Sequence, residues 1–345
     1  MLGGVRLVIL TVLSGSIPWA LPELHVGCAI NIFSRFGYMG ISMRVVPRND
    51  SDRSWIFREP TADIFRNISA KQSTKKCNNS TATFDGDFHM EFCENMKQLL
   101  QAYFRDFAVE RLERPWQAFT GSWSKTVLAR NLGINTSYVS GDHCYVLVRV
   151  SRHREVATMA EGQTLAPDQV TLQDAVARHV DQVRLGDPAT VLDFVKSFGS
   201  HYITAYVTGN SLYQVFVFSP PIFKRIKERL KDKGVSNLTN TELLGYFSPW
   251  YAEHTGIIQV ASGNATVEEW AARHLQHQFY FFSYPSLLKL REDLKLLSKL
   301  DQLLGNEALL KLDLRTLAPA FKDPLKRKWF HEVMDNHLKL WEVNM

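Results

Sequence analysis

No stretch beyond residue 20 holds the roughly 18 to 20 uncharged apolar residues that a membrane-spanning helix needs. An excess of positive charge is lacking too. Forty lysines and arginines against 35 acids leave a net charge of +5, without the dense basic clusters and interleaved aromatics of a nucleic-acid binder. Catalytic signatures are missing: there is no Gly-x-Ser-x-Gly elbow and no phosphate-cradling loop. His331 and His337 sit six apart in "HEVMDNH", on different helix faces rather than at the i, i+4 spacing of a zinc site. His274 and His277 in "HLQH" form an i, i+3 pair with no third ligand in sequence reach, as on a solvated helix face. No metal, cofactor or enzymatic activity is therefore expected. Charged residues make up only 22%, against 45% apolar and 12% aromatic, which excludes global disorder and provides for a substantial core.

Cysteine is scarce but even in number: Cys28, Cys77, Cys93 and Cys144. Their spacing matches no zinc motif. The first twenty residues, "MLGGVRLVILTVLSGSIPWA", carry one early positive charge, an apolar run from Leu7 to Leu13 and small residues from Ser14 to Ala20, the layout of a secretory signal peptide. In a secreted chain four cysteines suggest two disulfides, with three connectivities open. The polar loop between Cys77 and Cys93 favours that pair, which leaves Cys28 with Cys144. Seven of the fifteen asparagines lie in Asn-x-Ser/Thr: Asn49, Asn67, Asn78, Asn79, Asn135, Asn237 and Asn264. As glycosylation candidates they place these segments on the surface of a secreted protein.

Beyond a polar, sequon-rich stretch from 45 to 90, periodicity becomes regular. Met96, Leu99, Leu100, Tyr103, Phe104 and Phe107 recur at helical spacing. "HCYVLVRVSR" alternates as a strand, with Cys144, Val146, Val148 and Val150 on one face. "TLQDAVARHVDQV" reads as an amphipathic helix. Asp187-Pro188 then supplies an N-cap and first-turn proline for a second helix, which ends at Gly199. A long strand follows, interrupted at Gly209-Asn210 and resuming in "SLYQVFVF". Next come a charged helix ("PPIFKRIKERLKDKG"), another strand at Ile257 to Ser262, and a leucine-rich tail that reads as helical. The expected organisation is a signal peptide at 1–20, one α+β domain at 21–270 and a leucine-rich helical segment at 271–345.

The junction Phe198-Gly199-Ser200-His201-Tyr202, then six residues ("ITAYVT"), then Gly209-Asn210 resembles the signature of the membrane-attack-complex/perforin (MACPF) family. That signature reads aromatic-Gly-Thr/Ser-His-aromatic, six residues, Gly-Gly. Two departures are Phe198, where Tyr or Trp is commoner, and Asn210 in place of the second glycine. The resemblance implies a bent, twisted, four-stranded antiparallel sheet flanked by helical clusters. Asn210 is expected to keep the bend because asparagine tolerates positive φ. With no nucleophile or second acid/base nearby in sequence, His201 is expected to be structural. Within the family the chain is similar to secreted members without accessory modules. Their role would be an extracellular cue, with a growth-factor-like ligand or its receptor tyrosine kinase pathway as partner, acting in solution or retained at the plasma membrane, matrix or eggshell.

In pore-forming members the segment after the bent strand refolds into a transmembrane hairpin. Here it carries Lys224, Arg225, Lys227, Arg229, Lys231 and Lys233 against Glu228 and Asp232, with an apolar stripe of Ile222, Phe223, Ile226 and Leu230. Extended, neither face of this segment suits hydrocarbon, where each charge costs about 2–4 kcal/mol. As a helix it is a solvated surface element or a contact for anionic membrane or sulfated matrix. A non-lytic cue is the expected function and a lytic pore the alternative.

Overall fold

Val146, Val148 and Val150 alternate with Tyr145, Leu147 and Arg149. In the computed structural model this alternation forms a single strand whose two faces are both covered. The structure describes residues 24–33, 45–49, 52–57, 61–66, 68, 70–74, 86–159, 165–234, 237–279, 281–291, 293–305 and 307–343. The signal-peptide segment, Asn67, Cys77, Asn78 and Asn79 lie outside the described residues.

In chain order come β1 (Cys28–Ile30), a hairpin of β2 (Val45–Asn49) and β3 (Asp52–Phe57), β4 (Thr61–Asp63), β5 (Ala70–Thr74) and β6 (Gly86–Cys93). Helix α1 (Met96–Tyr103), strand β7 (Phe107–Val109), α2 (Gln117–Thr120) and α3 (Lys125–Leu132) link β6 to β8 (Cys144–Met159). Helices α4 (Asp174–Gln182) and α5 (Pro188–Phe198) lead into β9 (His201–Phe218). Then follow α6 (Pro220–Lys233), α7 (Asn240–Tyr246), β10 (His254–Thr255), β11 (Gln259–Val260) and α8 (Ala265–His274). The hairpin β12 (Gln276–Phe279) and β13 (Phe282–Pro285), α9 (Leu294–Leu303), β14 (Ala308–Thr316) and α10 (Pro324–Val343) come last.

The fold is α+β, built on a bent antiparallel sheet with β9 as its spine. One edge of β9 pairs with β8 from Cys144↔Phe218 to Thr158↔Ala205. Its other edge is shared: β14 takes His201 to Gly209, and β11 and β10 take Leu212 to Val217. On the far side of β8, β6 and β5 pair with successive halves of that strand. The bend falls at Gly209. Opposite it, β8 gains one residue between His153 and Glu155, and β14 gains one between Leu309 and Lys311. An extra residue on each neighbour lets both strands turn with β9.

Each face of the sheet carries its own core. Tyr145, Leu147, Tyr213 and Val215 pack under Leu99 and Tyr103 of α1, Phe119 of α2, Leu132 of α3, Phe194 of α5 and Phe330 of α10. Val146, Val148, Val150, Leu212 and Phe216 pack under α6 through Phe223, Ile226 and Leu230, and under α7, α8 and α9. Full burial of each such apolar side chain contributes about 2 kcal/mol. Helix, sheet and helix thus form three layers, with the long strands inside.

Three expectations are corrected. The helix at Met96 stops at Tyr103, and Phe107 belongs to β7, which pairs in parallel with β14 at Leu312. The strand expected at Ile257 to Ser262 is limited to Gln259–Val260. The leucine-rich tail is not all helical, since Ala308–Thr316 supplies a main strand of the sheet. Leu310, Leu312 and Leu314 repeat every second residue, a strand period carried by a residue type with good helix propensity.

Candidate functional site: the signature turn and the bend

Gly199 ends α5 with φ +99° and ψ 174°, an extended, positive-φ conformation rather than the left-handed cap expected for a helix end. A Cβ there would also lie 2.7 Å from the Ile30 carbonyl oxygen. The close approach brings β1 against the head of β9: the Ser200 amide donates to Ile30 O (2.9 Å), and the Ile32 amide donates to Ser200 Oγ (3.1 Å). His201 is fully buried. Its Nε2 lies 3.1 Å from the Glu110 carbonyl and its Nδ1 lies 3.0 Å from Ser200 Oγ. A carbonyl only accepts, so Nε2 carries the proton and Nδ1 accepts from the Ser200 hydroxyl. Burial pushes the His201 pKa down to about 4, so the ring is neutral near pH 7. The flanking aromatics complete the joint. Phe198 meets His179 edge-on at 4.8 Å, and Tyr202 meets Phe65 at 5.4 Å.

Partners that the sequence did not reveal lie behind His201. Glu110 Oε2 accepts from the Thr316 amide (2.7 Å) and hydroxyl (3.0 Å), tying the end of β7 to β14. Next to it, Arg111 has φ +68° and donates to Asp335 (2.6 Å) and to His331 Nδ1 (3.0 Å) of α10. Burial and the Arg111 charge hold the His331 pKa below its usual value. This clasp joins the signature turn to the C-terminal helix. Nothing in the local sequence pointed to it, because Glu110 and Arg111 sit among Arg105, Asp106, Glu113 and Arg114.

The second half of the signature lies about 25–30 Å further along β9, counting about 3.3 Å per residue. A Cβ at Gly209 would sit 1.9 Å from the Arg152 carbonyl oxygen, so this glycine serves a close backbone approach. Asn210 does not have the positive φ expected of it. It is instead a buried hub. Its Nδ2 donates to Ser262 Oγ (2.8 Å) and Glu307 (3.2 Å), while its Oδ1 accepts from the Ser211 and Ser262 amides. Gln214, also buried, donates to the Gly256 and Pro285 carbonyls and accepts from the Leu287 amide. On β8, Arg152 pairs with Asp301, and Arg154 donates to the Asp301 and Leu304 carbonyls at the end of α9.

Helix α6 lies on the sheet by Phe223, Ile226 and Leu230 and exposes Lys224, Arg225, Lys227, Arg229 and Lys231 to solvent. Lys227 pairs with Glu94 (3.0 Å) and Lys233 with Glu242 (2.9 Å). Of the sequons, Asn135 and Asn237 are exposed, Asn264 is half-buried as the N-cap of α8, and Asn49 lies in β2.

The pairing of Cys28 with Cys144 is ruled out by topology. Cys28 adjoins Ala29, which pairs with Tyr202, whereas Cys144 pairs with Phe218 at the opposite end of β9. A disulfide needs Cα atoms within about 7 Å. Cys93 and Cys144 are close in the sheet but belong to opposite cores, and Cys28, Cys93 and Cys144 are all free thiols. Burial pushes the Cys28 and Cys93 pKa values up to about 12. The other favoured pair, Cys77 with Cys93, involves a residue outside the described set.

No family model and no curated protein matches the chain. Solved structures do. GNIP1Aa from Chromobacterium piscinae is matched at 11% identity and a TM-score of 0.46, over 93% of this chain and 57% of that one. A cell invasion protein with a MAC/Perforin domain from Bacteroides thetaiotaomicron is matched at 10% identity and 0.42, over 93% of this chain and 63% of that one. The chain therefore spans less than two thirds of either. Astrotactin-2, a vertebrate-specific, perforin-like membrane protein involved in neuronal development, is matched at 11% identity and 0.35, over 88% of this chain and 98% of that one. Two of these three structural neighbours are thus described as MAC/Perforin or perforin-like proteins.

Proposed function

We propose that this protein is a secreted MACPF-type scaffold that acts outside the cell as a localised, non-enzymatic and non-lytic cue for receptor tyrosine kinase signalling. Within the family it resembles the insect protein Torso-like, whose role is to help activate the receptor Torso at the embryo's poles in concert with the ligand Trunk. A hormone-linked growth role is also ascribed to that protein. The implied partner is a growth-factor-like ligand of the Trunk kind, or its receptor. Surface-exposed sequons at Asn135 and Asn237 are in keeping with secretion.

The observation that carries the non-lytic reading is helix α6. Its apolar side chains are committed to the sheet and its outward face is cationic. Redrawn as a strand, the same segment would place Arg225, Lys227, Arg229, Lys231 and Lys233 on one face, at about 2–4 kcal/mol for each charge in hydrocarbon. A lytic pore, the alternative, would have to meet that cost. The non-enzymatic reading is supported by His201 and Ser200, which are buried and bonded to Ile30 (through the Ser200 amide), Ile32 and Glu110.

The test is receptor activation. Cells bearing Torso and exposed to Trunk should show more receptor phosphorylation when the purified protein is added. Equal phosphorylation with and without it would sink the signalling assignment.

A further inference from the structure

The hairpin β12–β13 is held firmly at its root and exposes Phe281 near its tip. At the root, Tyr284 is buried and donates to the Leu244 carbonyl (3.2 Å). Lys289 Nζ donates to the carbonyls of His274 (3.0 Å) and Gln276 (2.9 Å), joining the end of α8 to the first residue of β12. The four pairs run from Gln276↔Pro285 to Phe279↔Phe282, so the turn falls within the sequence Phe279-Tyr280-Phe281-Phe282. Phe281 is 95% exposed, more than any other large apolar residue described. At that exposure the Phe281 ring contributes nothing to the core that Tyr284 reaches.

The chain on either side of the hairpin has a net positive charge. From Arg273, which pairs with Glu269, to Lys299 it carries Arg273, Lys289, Arg291, Lys295 and Lys299 against Glu292 and Asp293. Lys289 and Lys295 line one open cleft at the hairpin root together with Leu294, itself 70% exposed. Aromatic rings settle at the headgroup level of a bilayer, and nearby lysines and arginines are drawn to anionic lipid. The arms are four residues long, against the 9–11 needed for a strand to span. We propose that the tip around Phe281 is an interfacial anchor that seats the protein on an anionic lipid surface without crossing it. The proposal rests on the localised, non-lytic part of the reading above and names a site of attachment for it. It gives the attachment to this hairpin rather than to the cationic face of α6.

The test uses the full purified chain and floating vesicles of phosphatidylcholine, with and without phosphatidylserine. Wild type should bind the mixed vesicles and release them as salt rises. Phe281→Ser, at an exposed site, should keep its melting temperature and bind about tenfold more weakly or worse, the loss of one buried aromatic. Phe281→Trp should bind like wild type, with emission that shifts to the blue on vesicles. Replacing Lys224, Arg225, Arg229 and Lys231 of α6 with glutamine should weaken binding less than Phe281→Ser does. If Phe281→Ser binds as wild type while the α6 variant does not, surface retention stands and the hairpin assignment falls. If wild type binds neither vesicle, both fall. Equal binding to vesicles without phosphatidylserine, or Phe281-dependent capture of a protein in the absence of lipid, would also overturn the assignment.

Discussion

With its ring neutral, His201 accepts from Ser200 at Nδ1 and donates to Glu110 from Nε2. Its pKa is about 4 in the fold against an ordinary 6.5. Between those values the unfolded chain takes up a proton that the native chain refuses, so acid favours unfolding. The contribution is complete above pH 6.5 and is lost as pH falls towards 4, amounting to of order 3 kcal/mol. Chemical denaturation across this range should show stability falling with pH, and His201→Gln should be less stable at pH 7 with a flatter profile. An unchanged profile in that variant would place the acid sensitivity in His89, His254, His277, His331 or His337, all of which burial also depresses. The helix end and strand start that position His201 were legible in the sequence. Glu110 was not legible, since 91 residues separate it from His201. Asn210 was read for its backbone, yet it acts through a side chain whose partners, Ser262 and Glu307, lie 52 and 97 residues away.

Two glycines decide how the elements meet. Gly199→Val would need a β-branched residue at φ +99° with its Cβ 2.7 Å from the Ile30 carbonyl oxygen. The expected outcome is a chain retained in the cell, scored as loss of the protein from the medium, and normal secretion would show that the helix end can rearrange. Gly209→Ala tests the bend. Its methyl would stand 1.9 Å from the Arg152 carbonyl oxygen, so β8 and β9 must separate. We expect a loss of at least about 3 kcal/mol, as for severe overpacking; a denaturation midpoint matching wild type would mean that the strands are not so close. Elements with a single clear period, α4, α5, α6 and β9, were legible in the sequence. Strand β14 was hidden because alternating leucines sit between two leucine-rich helices. Strand β7 was hidden because its three residues extend the helical spacing of α1. Its strand character depends on β14, some 200 residues later.

Over the whole molecule, the sheet is covered on both faces and the segment from α6 to α9 is fixed to it twice over. Apolar packing holds α6, α7, α8 and α9. Buried or partly buried polar bonds from Arg152, Arg154, Asn210 and Gln214 hold the chain between Gly256 and Glu307. Releasing that segment would strand these polar groups without partners, and each such buried group costs about 1–3 kcal/mol. The same segment, once freed, would still carry the charges of α6. Both facts support the proposed non-lytic reading. The most direct test is dye release from anionic vesicles at protein concentrations that flotation shows to coat them. Vesicles coated but intact are the predicted result; release that rises with coverage would contradict the account.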